Sequence, residues 1–110
     1  GTKLRNAMRA VLDARGIAHS FVGHPSMSGL YFAREAPRNY RAWKRSDYSF
    51  YDAMAKVLHD ERILCEPDSR EPWFVCAAHD DACLRDTMRA FEIAVDATLR
   101  KDGARHRPPA

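Results

Sequence analysis

Cys76 and His79 stand three positions apart in WFVCAAHDD, a spacing at which a thiolate and an imidazole can both reach a zinc ion. His19, His24, His59 and Cys65 are the remaining soft or imidazole donors. A structural zinc site draws on two close pairs; here there is one, and Cys76 lies in an apolar run, so it reads as a core cysteine rather than a ligand. The same thiol and imidazole could serve as nucleophile and base, but no glycine-flanked elbow accompanies them. Asp80 with Asp81, and Glu66 with Asp68, are paired carboxylates of the kind used for general acid–base work. Adjacent acids ahead of a helix are equally accounted for by capping and the helix dipole. Gly1, Gly16, Gly23, Gly29 and Gly103 are too dispersed to build a phosphate-cradling loop.

The elements that would carry these residues must fit into 110 residues, 45% of them hydrophobic and 30% charged, which is enough for one domain with its own core. The length excludes a two-domain enzyme. No apolar run approaches the ~20 residues of a membrane-spanning helix, so no membrane is expected. Gly1-Thr2-Lys3-Leu4 shows neither an initiator methionine nor a signal pattern, and the chain reads as a piece excised from something longer. Cys65, Cys76 and Cys83 form an odd set without a disulfide framework, which points to a reducing, cytoplasmic setting. Eighteen Lys and Arg against fifteen Asp and Glu leave a net charge of only +3. The densest basic stretch, Arg38 to Arg45, is short.

Leu4, Met8, Val11 and Leu12 recur at helical spacing, predicting a helix over 3–15 capped by Thr2 and ended by Gly16. Strands are expected over 17–23 and 28–33, joined at Pro25 as a hairpin. Arg34 to Arg45 has no sustained period and reads as a loop, with Tyr40 and Trp43 packed down. Phe50, Tyr51, Met54, Val57 and Leu58 predict a helix over 47–60. A short strand over 63–65 and a proline-bearing loop over 66–72 follow. Trp73 to Ala78, apolar throughout, is expected as a central strand buried on both faces. Leu84, Met88, Phe91, Val95 and Leu99 line a final helix that Gly103 ends. The order α-β-β-α-β-β-α predicts a two-layer α+β domain over 1–104, a small mainly antiparallel sheet with helices on one face, and a disordered tail over 105–110. The other face of that sheet needs a cover.

Three segments taken together, PSMSGLYF (25–32), RNYRAWKRSDYSFYDAM (38–54) and EPWFVCAAHDDACLRDTMRAF (71–91), resemble the C-terminal small domain of class III pyridoxal phosphate (PLP)-dependent aminotransferases. The resemblance is nearest to the glutamate-1-semialdehyde 2,1-aminomutase branch and runs from Leu4 to about Leu99. It implies the small domain of a fold type I enzyme whose missing large domain binds PLP through a lysine. It also implies a homodimeric parent and a small amino-acid-like substrate on which an amino group is moved. Lys3, Lys44, Lys56 and Lys101 match no PLP-lysine motif, so this piece is expected to bind no cofactor and to be inactive alone.

The resemblance places Glu71 at the position of a glutamate that reaches from the small domain to the substrate; Ser26 and Met27 match a structural strand-entry motif. Arg70 is out of register with the arginine by which other branches hold a substrate carboxylate, and Pro72 and Trp73 stand where typical aminomutases have small residues, so Trp73 could reshape a pocket. An alternative from another class is a free-standing module that binds nucleic acid or another anion through Arg38 to Arg45, stacking on Tyr40 and Trp43.

Overall fold

The first helix, α1 (Thr2–Ala14), turns the buried side chains Met8, Val11 and Leu12 inward. Gly1, not Thr2, occupies its N-cap, with no side-chain cap bond. The computed structural model describes residues 1–102, so the expected stop at Gly103, the boundary at 104 and the tail over 105–110 lie outside the described residues. At its C-terminus the Gly16 and Ile17 amides donate to the carbonyls of Asp13 and Leu12, and Gly16 takes φ +65°, a left-handed conformation that glycine adopts without steric cost.

The hairpin forms as expected, in shorter form. Strands β1 (Ser20–Val22) and β2 (Met27–Tyr31) pair antiparallel, with Phe21 opposite Leu30. The third strand, β3 (Trp73–Phe74), pairs antiparallel with the start of β2, placing Met27 opposite Phe74 and Ser28 opposite Trp73. The sheet order β1-β2-β3 leaves β3 at an edge. This corrects the expectation of a central strand over 73–78. Past Phe74 the Val75 amide donates to the Ser26 carbonyl and the chain leaves the sheet, so Cys76, Ala77 and Ala78 are exposed.

Helix α2 (Tyr40–Arg45) occupies the stretch expected as a loop; the Asn39 side chain caps it by accepting from the Ala42 amide. Tyr40 remains 56% exposed instead of packing down. Helix α3 (Tyr48–Asp60) starts where expected, with Asp47 accepting from the Phe50 amide. It ends in a reversal in which Arg62 takes φ +67° and the Ile63 amide returns to the Leu58 carbonyl. The chain therefore turns away at 63–65 and forms no strand there. Helix α4 (Asp81–Asp102) follows, with the Asp80 carboxylate receiving the Cys83 amide.

The two-layer α+β class holds, with the element order changed by α2 and by the missing strand. Alternation along the strands sends Phe21, Ser28, Leu30 and Trp73 to one face of the sheet. On that side Phe32 meets Phe50 edge-on at 4.6 Å between ring centres, and Trp73 meets Phe91 at 6.3 Å. Phe50, Tyr51, Met54, Leu58, Phe91 and Val95 fill the core between α3, α4 and the sheet. The opposite face carries Met27, Phe74, Val22 and Tyr31; Met27 is 50% and Phe74 61% exposed, while Val22 and Tyr31 are half-buried.

An ion pair fastens α1 to α4: the Arg15 guanidinium donates to both Asp96 carboxylate oxygens, at 2.6 and 3.1 Å. The contact holds the Asp96 carboxyl below the usual range, chiefly through the hydrogen bond from Arg15. A carboxyl depressed by folding stabilises the fold above its unfolded pKa, and that contribution vanishes as pH falls through the folded value. Wild type and Asp96→Asn should therefore differ in urea midpoint at neutral pH, and the gap should close as pH drops below about 4. A gap unchanged at acid pH would show that the ion pair does not act through its charge.

Candidate functional site

The segment 61–72 connects α3 to β3, and its backbone is held at several points. The Tyr51 hydroxyl donates to the Glu66 carbonyl at 2.8 Å and accepts from the Trp73 indole at 2.7 Å. Burial pushes the Tyr51 phenol up, so it stays protonated as a donor. Trp73 thus belongs to the core, 6% exposed, and bridges loop and helix. Ser69, 2% exposed, accepts the Trp43 indole N–H at 2.8 Å. One Asp68 carboxylate oxygen accepts the Arg70 amide at 2.9 Å, and the Arg70 guanidinium pairs with the same carboxylate at 2.6 Å. The Arg70 bonds hold the Asp68 carboxyl below its ordinary value.

Glu71 follows directly, its amide donating to the Asp68 carbonyl at 3.0 Å. Its side chain is exposed, and among the described residues its carboxylate has no hydrogen bond or ion pair. An unengaged carboxylate on a bonded loop can receive an ammonium or guanidinium group of a ligand at little reorganisation cost.

A second feature is a cavity of about 280 Å³ between the start of α1, the segment after α3, β3 and the first turn of α4. Leu4, Ile63, Cys65, Trp73, Phe74 and Leu84 provide its apolar wall, with Leu64 96% exposed at its margin. Its polar groups are the acids Glu66, Asp80 and Asp81, the last 3.7 Å from Lys3, together with Lys3, His79 and Thr87. Burial pushes the Cys65 thiol up to about 11, which keeps it protonated and a poor nucleophile.

The other sequence candidates disperse. Cys76 and Cys83 are exposed and Cys65 half-buried, contrary to the expectation of core cysteines; Cys76 lies outside the core because the apolar run leaves the sheet after Phe74. His79 Nδ1 accepts the Cys76 amide, a turn contact that occupies the imidazole with backbone. His19 and His59 bond to the carbonyls of Ile17 and Cys65, and His24 to Ser26. Among the described residues no group of three or more His, Cys, Asp or Glu side chains could hold a metal ion. None of the described helices is long and apolar enough to cross a membrane. On the Arg38 to Arg45 stretch, Trp43 is already engaged: Tyr48 stacks on it at 4.8 Å and the Arg70 guanidinium lies 4.7 Å from its centre. The Trp43–Ser69 and Arg70–Asp68 contacts join positions far apart in sequence or within one turn, and no periodicity could have announced them.

Fold and site together define a helix-backed antiparallel sheet domain that presents the Glu71 carboxylate on a bonded loop and, on the outer side of the sheet, the exposed apolar pair Met27 and Phe74. No family model matches the chain. The chain is 32% identical over 92 residues, 84% of its length, to glutamate-1-semialdehyde 2,1-aminomutase 1 of Bacillus cereus, of which it covers 22%. It has the same identity over the same length to a glutamate-1-semialdehyde 2,1-aminomutase 2 of Bacillus thuringiensis, covering 21% of that protein. The chain is a homologue of these aminomutases over one segment, and spans about a fifth of their length.

Proposed function

We propose that this chain is the C-terminal small domain of a class III PLP-dependent aminotransferase or aminomutase, and that it works by closing over a substrate held by a larger domain. The observation that carries this reading is the similarity across 84% of the chain to aminomutases about four times as long. The bare face with Met27 and Phe74 supports it, since exposed apolar side chains of one sheet face mark a surface that meets another. PLP, when bound to such an enzyme, supplies an electron sink for chemistry at an amino-bearing carbon.

The described residues of this chain do not fit that cofactor. Lys3, Lys44, Lys56 and Lys101 lie on four different helices. The cavity that has Lys3 on its wall is also lined by Glu66, Asp80 and Asp81, whose three negative charges oppose a phosphate dianion. The cofactor site therefore belongs to the large domain, and the contribution of this chain is Glu71. Its carboxylate receives the cationic amino group of the substrate and holds it in place.

The test is a chimera in which this chain replaces the matching segment of the Bacillus cereus aminomutase. The chimera should load PLP and retain aminomutase activity. Glu71→Gln should leave the PLP content unchanged and lower kcat/KM about tenfold to a hundredfold, the range of a charge-assisted hydrogen bond. A folded, PLP-loaded chimera without activity would contradict the domain reading. Unchanged kinetics in Glu71→Gln would return that residue to the solvated loop.

A further inference from the structure

Arg70 precedes Glu71 and could neutralise it, yet its guanidinium is held elsewhere. Nε lies 3.1 Å from both Asp68 oxygens and a terminal nitrogen 2.6 Å from one of them. The guanidinium carbon sits 4.7 Å from the Trp43 ring centre and 6.0 Å from that of Tyr40. Trp43 is in turn fixed by Tyr48 and by its bond to buried Ser69, the residue between Asp68 and Arg70. Residues 68, 69 and 70 are thus each bonded through a side chain, and residue 71 through its backbone, while the Glu71 carboxylate is left free.

We propose that Arg70 is a positioning residue: clamped between Asp68 and the Trp43 ring, it fixes the 68–71 turn and keeps its own positive charge away from the Glu71 carboxylate. The inference rests on the reading of Glu71 given above and adds the device that keeps this side chain available. Each contact is individually modest, because exposed ion pairs and exposed cation–π contacts are both weak. Their common anchor on a buried serine makes them act on one turn. Among the charges that act on Arg70, Asp68 has the largest influence and Glu71 the smallest, in keeping with a guanidinium directed to Asp68. Without Asp68 or Trp43, Arg70 becomes free to fold onto Glu71 and cancel it.

Hydrogen exchange by NMR on the full chain tests the clamp directly. In Arg70→Ala, the amides of positions 70 and 71 and the Trp43 indole N–H should exchange about tenfold faster, with α3 and α4 amides unchanged. Arg70→Lys, which keeps the charge and the ring contact but loses the planar fork, should fall between. Unchanged exchange in the turn, or an equal acceleration throughout the molecule, would overturn the clamp. In the chimeric enzyme, Arg70→Ala should lower kcat/KM about as much as Glu71→Gln does and add nothing in the Glu71→Gln background; additive losses would overturn the positioning role. A silent Glu71→Gln beside a loosened turn in Arg70→Ala would instead sink the reading of Glu71 and leave the clamp standing.

Discussion

Replacing Phe91 by alanine should cost about 3–5 kcal/mol and remove a large part of the stability of the chain. Phe91 is fully buried on the inner side of α4, edge-on to Trp73, where sheet and helices meet. A phenyl ring removed there leaves a void that its neighbours cannot fill: Tyr51 is tied to Trp73 and Glu66 by hydrogen bonds, and Phe50 is engaged with Phe32. Domains of this size are stable by about 5–15 kcal/mol in total, so the loss is a large fraction of what is available. Urea denaturation followed by circular dichroism reads the change. A loss under about 1 kcal/mol would mean that the core does not close around this ring.

The second large effect is on assembly and not on folding. Met27 and Phe74 face each other on the bare side of the sheet. Changing both to aspartate should alter the stability of the isolated chain by no more than about 1 kcal/mol, because neither side chain enters the core. In the chimeric enzyme the same pair should weaken docking on the large domain about a hundredfold or more, since two large apolar groups lose their burial and two charges are placed in a dry contact. Size-exclusion profiles and PLP content of the chimera read the outcome. A doubly substituted chimera that assembles and loads PLP normally would show that this face is not the contact.

Much of the fold was legible in the sequence because it rests on local chemistry. The stripes of α1, α3 and α4 repeat at helical spacing, Asp47 and Asp80 are acids placed to cap, and Gly16 marks a left-handed stop. The resemblance carried the kinship with the aminomutases, which no spacing in the chain could have supplied. What was missed depends on partners distant in sequence. The apolar run from Trp73 looks like a buried central strand, but β2 offers it only Met27 and Ser28 before the chain diverges. Its exposed apolar residues belong to a surface, and burial cannot be read from composition when the covering element is elsewhere. Helix α2 lacks a hydrophobic stripe, and only the Asn39 cap announces it. Glu71 could be singled out by resemblance, whereas the clamp around it joins Trp43 to Ser69, 26 positions away, and follows no sequence rule.

The pairing of Arg15 with Asp96 spans 81 positions, and α4 is the last of the described elements and the one against which both α1 and α3 pack. A nascent chain holding only the first three-quarters of these residues has its hairpin and its amphipathic helices but no wall to close them on. Loop closure over such a distance is entropically slow. A partly made chain of this kind leaves the apolar sides of α1 and α3 without α4 as their cover, and apolar surface exposed in that way is what makes incomplete chains prone to aggregate.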